Sequence, residues 1–272
     1  MHPHYVPVTD AALLLARFGA ALPEGGSPCP EAPGERDMPL LMPAQTKPAG
    51  AVGEVRLGRL GLLSRRAVDL SLGGQATHCA IETMKSLATF RESWWAGQRC
   101  VVPVMGLQAW SFSTGQPQRW TVQQSAGLPL ALAGLWNTWT GPDGAELLSF
   151  CVLTRPADGH EVFRHLASPG QAARMPVLLP LESLAPWLDG ALKDAERLLQ
   201  RPMAEALQAA PLAQADTPWR EPASWSVVPD MFAHEWHAMA AQAPATATRR
   251  ASPRLMRPRS PEPAGPTTAD LF

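Results

Sequence analysis

The side chains best suited to chemistry in this 272-residue chain are few and scattered. His78 and Cys79 are adjacent in "QATHCAIET" and would supply a base and a thiol if both faced one site. Neighbouring residues of a strand point to opposite faces, which works against a direct dyad, so a packed cysteine beside a polar histidine is the simpler reading. "HEWHAM" sets His234 and His237 three apart. The zinc-protease helix needs its second histidine one residue later, so these read as surface histidines. His2 and His4 could bind a metal only weakly, and neither a metal nor a cofactor is expected. Cys29, Cys79, Cys100 and Cys151 lie far apart with no CxxC pair, which argues against a zinc site or a disulfide scaffold and fits a reducing compartment. One further stretch, "QRCVVPVMGLQAW" (98–110), reads as a strand over 101–104 entering a turn at Gly106. Its tip, Leu107-Gln108-Ala109, carries no ionisable group.

The elements that must position these residues follow from composition and periodicity. Hydrophobic residues make up 46% and charged residues 17%, enough for a substantial core. The net charge of -1 gives no whole-molecule attraction for nucleic acid, although it leaves room for a local basic cleft. The ten tryptophans belong mostly in the core, and Trp94-Trp95 read as helix packing rather than a base-stacking platform. No apolar run is long enough to span a membrane, and "MHPHYVPVTD" lacks the pattern of a signal peptide, so a cytoplasmic protein is expected. Helical spacing predicts helices over about 10–22, 81–97, 183–200 and 229–242. Alternation and turn signals predict strands in "EVRLGRLGLL", "CVVPV", "RWTVQQ", "LALAGLW" and "LLSFCVLT", a hairpin at "GPDGAE", and a short buried strand at "MPVLLP". A Pro- and Gly-rich loop occupies about 23–52.

Three segments, in order, carry a resemblance. "RCVVPVMGLQAW" is similar to R-C-L-V-P-A-D-G-F-Y-E-W, with Arg99, Cys100, Val102, Pro103, Gly106 and Trp110 matching. "LALAGLWNTW" with "LLSFCVLTRPA" is similar to F-A-G-L-W-E-x-W and F-T-I-L-T-T-x-A, through Gly134, Leu135, Trp136, Trp139, Phe150 and Thr154 among others. "AARMPVLLP" with "WLDG" is similar to H-D-R-M-P-V-I-L and W-L-D, through Arg174, Met175, Pro176, Val177 and Trp187. Weaker echoes are "RLGLLS", "HCAIET" and "MPAQ". Together they resemble the SRAP family, the SOS-response-associated peptidases or abasic-site processing proteins. The resemblance covers roughly residues 1–190. It implies an α+β fold with a mixed, largely antiparallel β core and flanking helices, filling residues 1–243 ahead of a disordered tail.

The resemblance also implies a chemistry. Family members bind single-stranded DNA and capture abasic sites through an N-terminal cysteine, whose α-amine and thiol condense with the sugar aldehyde while Asn, Glu and His assist. Here those positions fall on His2, His78, Ala109 and Ala172. Histidine has no thiol to close the thiazolidine ring, and alanine can neither accept a proton nor orient a hydroxyl. Met1 is expected to persist ahead of a residue as large as histidine. Arg174, and less strongly Arg99, remain as candidate DNA contacts, whereas an arginine and a tryptophan of the family pattern are His4 and Leu60. The expected function is therefore a non-catalytic single-stranded or abasic DNA-binding or recruitment module of the DNA-damage (SOS) response. The alternatives are a crosslinking enzyme using the Met1 amine or Cys79, and a protein-interaction scaffold without DNA binding.

From about residue 244 the chain becomes rich in Pro, Ala and Thr, with five arginines (Arg249, Arg250, Arg254, Arg257, Arg259). It ends in Thr268-Ala269-Asp270-Leu271-Phe272, which resembles a bacterial sliding-clamp-binding motif whose paired apolar anchors enter a hydrophobic pocket. A sliding clamp is thus an expected partner of the tail, and no membrane partner is expected.

Overall fold

Runs of alternating β-branched and small apolar residues build the middle of the chain, and in the computed structural model of the protein they pair into one sheet. The structure describes residues 3–8, 10–20, 37–44, 51–167, 170–201 and 206–212. Its strands are β1 (His4–Pro7), β2 (Asp37–Met42), β3 (Glu54–Leu60), β4 (His78–Ala80), β5 (Arg99–Ser111), β6 (Gln118–Gln124), β7 (Leu130–Thr140), β8 (Glu146–Pro156), β9 (Arg174–Pro176) and β10 (Leu207–Pro211). Its helices are α1 (Ala11–Phe18), α2 (Ala88–Trp95), α3 (Leu184–Asp189) and α4 (Leu192–Gln200). Pairing runs β5 to β7 to β8 to β3 to β2 and back to β5, closing a barrel-like ring. All pairings are antiparallel except those of β3 and β4 with β8. This is the mixed, largely antiparallel α+β architecture expected from the sequence.

The period-2 alternation sorts side chains into two apolar clusters, one on each face of the sheet. Cys100, Val102 and Val104 of β5 join Leu40, Leu132, Phe150 and Val152 in one. Val101 joins Leu41, Ala133, Cys151 and Leu153 in the other, which the helices cover with Phe18, Trp94, Trp187 and Leu199.

Several elements differ from the sequence expectation. The chain does not turn at Gly106: β5 continues through it, pairing Gly106 with Gln123. The glycine serves close approach instead, since a Cβ there would lie 2.5 Å from the Val122 carbonyl oxygen. The helix expected over 81–97 is confined to α2, because residues 80–87 form turns bonded Thr83 N–H to Ala80 O and Ser86 N–H to Thr83 O. The helix expected over 183–200 is split into α3 and α4 at Gly190, whose backbone is extended. A strand, β2, emerges from the Pro- and Gly-rich segment. Its Pro39 lacks a donor, but β2 meets β5 only at Leu41–Val101, so little pairing is lost on that side. Helix α1 starts where expected, with the Asp10 carboxylate accepting from Ala12 N–H and Leu13 N–H, but stops at Gly19 in the left-handed region. The helix expected at 229–242 and the tail lie outside the described residues.

Candidate functional site

Two site positions of the family pattern, His78 and Ala109, are linked through Tyr5 of β1, which bonds to the first and shares a core cluster with the second. Strand β1 runs antiparallel to β5, with His4 opposite Gln108 and Tyr5 opposite Leu107, which leads the N-terminal segment toward Ala109. Strand β4 lies parallel to β8 and carries His78 and Cys79. The alternation then separates them. His78 turns to Tyr5, whose hydroxyl lies 2.8 Å from its Nε2, while Thr77 Oγ1 lies 2.9 Å from its Nδ1. Cys79 points into the opposite cluster, fully buried. Both ring nitrogens of His78 are thus engaged, one by a buried phenol whose pKa burial drives well above its usual value.

Ala109 stands where the family pattern carries a carboxylate. It is 3% exposed and packs with Tyr5, Leu107, Val122, Phe163 and Met175. An ionised group there would be stripped of water without a built partner. Ala172 is exposed and Ala173 packs against the edge of the same cluster.

Arg174 begins β9. Its Nε donates to Thr154 Oγ1 at 3.1 Å, and its Nη2 to the Thr154 carbonyl at 2.9 Å and Glu82 Oε2 at 2.8 Å. The arginine and Glu82 side chains are 28% and 44% exposed, so the pair sits at the surface, where water screens it.

Arg99 is placed differently from the sequence expectation of a DNA contact. It is buried, and its guanidinium donates to the carbonyls of Trp187, Leu188 and Gly190 at the C-terminal end of α3. It also stacks 5.8 Å from the Trp187 ring. Desolvation lowers its pKa, and the nearby Asp189 opposes that shift. These contacts make Arg99 a helix-capping residue of the interior.

Cys79, the sequence candidate for a substitute nucleophile, is equally enclosed. Burial foremost, with the Cys151 thiol beside it, pushes its pKa far above the ordinary thiol value, which holds it in the unreactive protonated form. Met1, His2, His234, His237 and the motif Thr268–Phe272 lie outside the described residues. Among the described residues no group of three or more His, Cys, Asp or Glu could hold a metal. No described helix is long and apolar enough to cross a membrane.

Three contributors to the site escaped the sequence reading. Tyr5 and Thr77 hold His78, and Arg119 of β6 lies 5.8 Å over the Trp110 ring while its Nη2 donates to Gln108 Oε1 at 2.7 Å. The available signal was the alternation of "QRWTVQQ", which sets Arg119 across from Trp110 once β5 and β6 are paired.

Comparison with known proteins meets this geometry. A family model described as SOS response associated peptidase (SRAP) matches residues 31–215, more than half the chain. The chain belongs to the SRAP family. A relative, the abasic site processing protein YoqW of Bacillus subtilis, is 28% identical over 139 residues, covering 49% of this chain and 58% of YoqW. The same figures hold for YoqW of Bacillus phage SPbeta. This chain spans little more than half the length of these relatives. Two crystal structures share the fold. A Bordetella bronchiseptica protein aligns with TM-score 0.68 and 23% identity over 78% of this chain and all of its own. A Bacteroides thetaiotaomicron protein aligns with TM-score 0.63 and 17% identity over 77% of this chain and 91% of its own. The SRAP family is linked to abasic-site processing and the DNA-damage response.

Proposed function

We propose that this chain is a non-catalytic SRAP protein that binds single-stranded or abasic DNA as a recognition or recruitment module. The observation that carries this reading is Ala109, an apolar residue closed into the core where family chemistry requires a carboxylate. His78, at the position of the assisting asparagine, is engaged on both ring nitrogens by Tyr5 and Thr77. DNA contact rests on Arg174, which is held at the surface in an ion pair with Glu82 that a phosphate would have to displace. The Leu271-Phe272 ending would add clamp recruitment, and its deletion should abolish capture by a sliding clamp.

The test is incubation of the purified protein with abasic single-stranded DNA, with and without borohydride, on a denaturing gel. Non-covalent, salt-sensitive binding without an adduct is expected. A heat-stable or borohydride-trapped adduct that disappears when the α-amine is blocked would overturn the reading in favour of an enzyme using the Met1 amine. Absence of any binding at low salt would favour a protein scaffold.

A further inference from the structure

Helix α2 divides its tryptophans. Trp94 is fully buried against Trp187, whereas Trp95, the next residue, is 57% exposed. A tryptophan that open is costly to leave in water without a role. Its neighbours give it a chemical setting. Arg91 lies one turn before Trp95 and Glu92 three residues before, so all three occupy the exposed face of α2, while Phe90, Ser93 and Trp94 face inward. A second element meets that face. Arg65 and Arg66 occupy the tip of a turn closed by Ala67 N–H to Ser64 O at 3.0 Å, and Arg65 Nε reaches Glu92 Oε1 at 3.9 Å. The turn is held from both sides, by Asn137 Nδ2 donating to the Leu63 carbonyl and by Trp139 Nε1 donating to the Ala67 carbonyl. Arg91 thus shares the exposed face of α2 with the indole, and Arg65, paired with Glu92, brings the turn that also carries Arg66 to that face.

We infer that Trp95, flanked by Arg91, Arg65 and Arg66, is a stacking site for one base of single-stranded nucleic acid. An indole face offers sequence-tolerant stacking to any base, and guanidinium groups around it attract the phosphates on either side of that base. The net positive charge of the cluster favours a polyanion over an apolar protein segment, for which charged arginines would be poor neighbours. The inference rests on the proposed DNA binding and specifies a contact on α2, on residues separate from Arg174 and the His78–Tyr5 pair.

The experiment is fluorescence anisotropy with labelled oligothymidylate of about 20 nucleotides on the full chain, comparing the parent with Trp95→Ala, Trp95→Phe and Trp95→Leu. Because Trp95 is exposed, these variants should fold, and circular dichroism checks that they do. Loss of one stacked base should weaken binding about tenfold in Trp95→Ala. Trp95→Phe should retain most of the affinity and Trp95→Leu should not, since only the ring supplies a π-face. Arg91→Gln and Arg65→Gln should each flatten the salt dependence. Equal binding by Trp95→Ala and the parent would overturn the stacking site while leaving DNA binding by the chain intact. Equal affinities of the Phe and Leu variants would also overturn it, because the face would then serve apolar contact. If the parent binds no oligonucleotide, the proposed function fails together with this site.

Discussion

Replacing Arg99 by alanine should destabilise the protein strongly without touching its interaction with DNA. The guanidinium satisfies the Trp187 and Leu188 carbonyls in the interior and the partly buried Gly190 carbonyl. Each carbonyl left without a partner costs about 1–3 kcal/mol, with water recovering part of the cost at Gly190. The lost stack on Trp187 adds about 0.5–2 kcal/mol, and the lost cation at the α3 C-terminus about 0.3–1 kcal/mol. These contributions share one side chain and do not add in full, so the expected total is about 3–5 kcal/mol. For a domain of this size that lowers the melting temperature by about 6–20 °C. Arg99→Lys, with a point charge and no planar fork, should fall between. Thermal unfolding reads the stability, and the slope of oligonucleotide affinity against salt reads the DNA interface. A variant that melts within about 2 °C of the parent but loses affinity and salt slope would refute the capping role and return Arg99 to the DNA surface.

Other perturbations probe the site. Glu82→Gln removes the carboxylate competing for Arg174; it should cost less than about 1 kcal/mol of stability and raise single-strand affinity with a steeper salt slope. Unchanged affinity and slope would take Arg174 out of the DNA interface. Ala109→Glu puts a carboxylate into a closed apolar site and should cost about 2–4 kcal/mol in urea unfolding, without producing an abasic-site adduct; an adduct from this single change would show that the remaining machinery is intact. Burial raises the folded-state pKa of Cys79, Cys100 and Tyr5. For these acids the stability is whole below the unfolded values, about 8.5 for thiols and 10 for tyrosine, and falls above them because only the unfolded chain ionises. Each thiol contributes a slope of about 1.4 kcal/mol per pH unit above about pH 9, which stability measurements between pH 7 and 10.5 should detect and Cys79→Ala should reduce.

The strands were legible where alternation was clean. "RWTVQQ" became β6, and "LALAGLW" and "LLSFCVLT" became β7 and β8, each paired on both edges and the latter two buried on both faces. What misled the reading was glycine and proline. Gly106 signals a turn by its freedom of conformation, but in β5 its use is the missing Cβ, which lets the Val122 carbonyl come close. Pro39 signals a loop, yet β2 tolerates it on its sparsely paired side. Arg99, the weaker DNA-contact candidate of the family resemblance, is buried for a reason no local pattern carries. Only the tertiary docking of α3, ninety residues later in the chain, supplies the carbonyls that bring it inside. Such a pairing leaves no local trace in sequence.

Several residues that match the family pattern are ones the fold requires for packing. A Cβ on Gly134 would sit 2.8 Å from the Cys151 carbonyl oxygen and 2.9 Å from the Cys100 sulfur. Trp187 donates its indole N–H to the Cys100 carbonyl at 2.9 Å, and Arg99 caps the helix that carries Trp187. Met175 and Pro176 pair β9 to β8 and help close the cluster around Ala109. Motif agreement at these positions reports the barrel and its helices, and it would persist in a protein with any activity or none. Among the described residues, the positions of the family's assisting groups are His78, Ala109 and Ala172, and there the chain departs from the pattern. At two of them the replacement is accommodated locally: Ala109 avoids the cost of a buried carboxylate, and His78 forms a satisfied hydrogen bond to the Tyr5 hydroxyl.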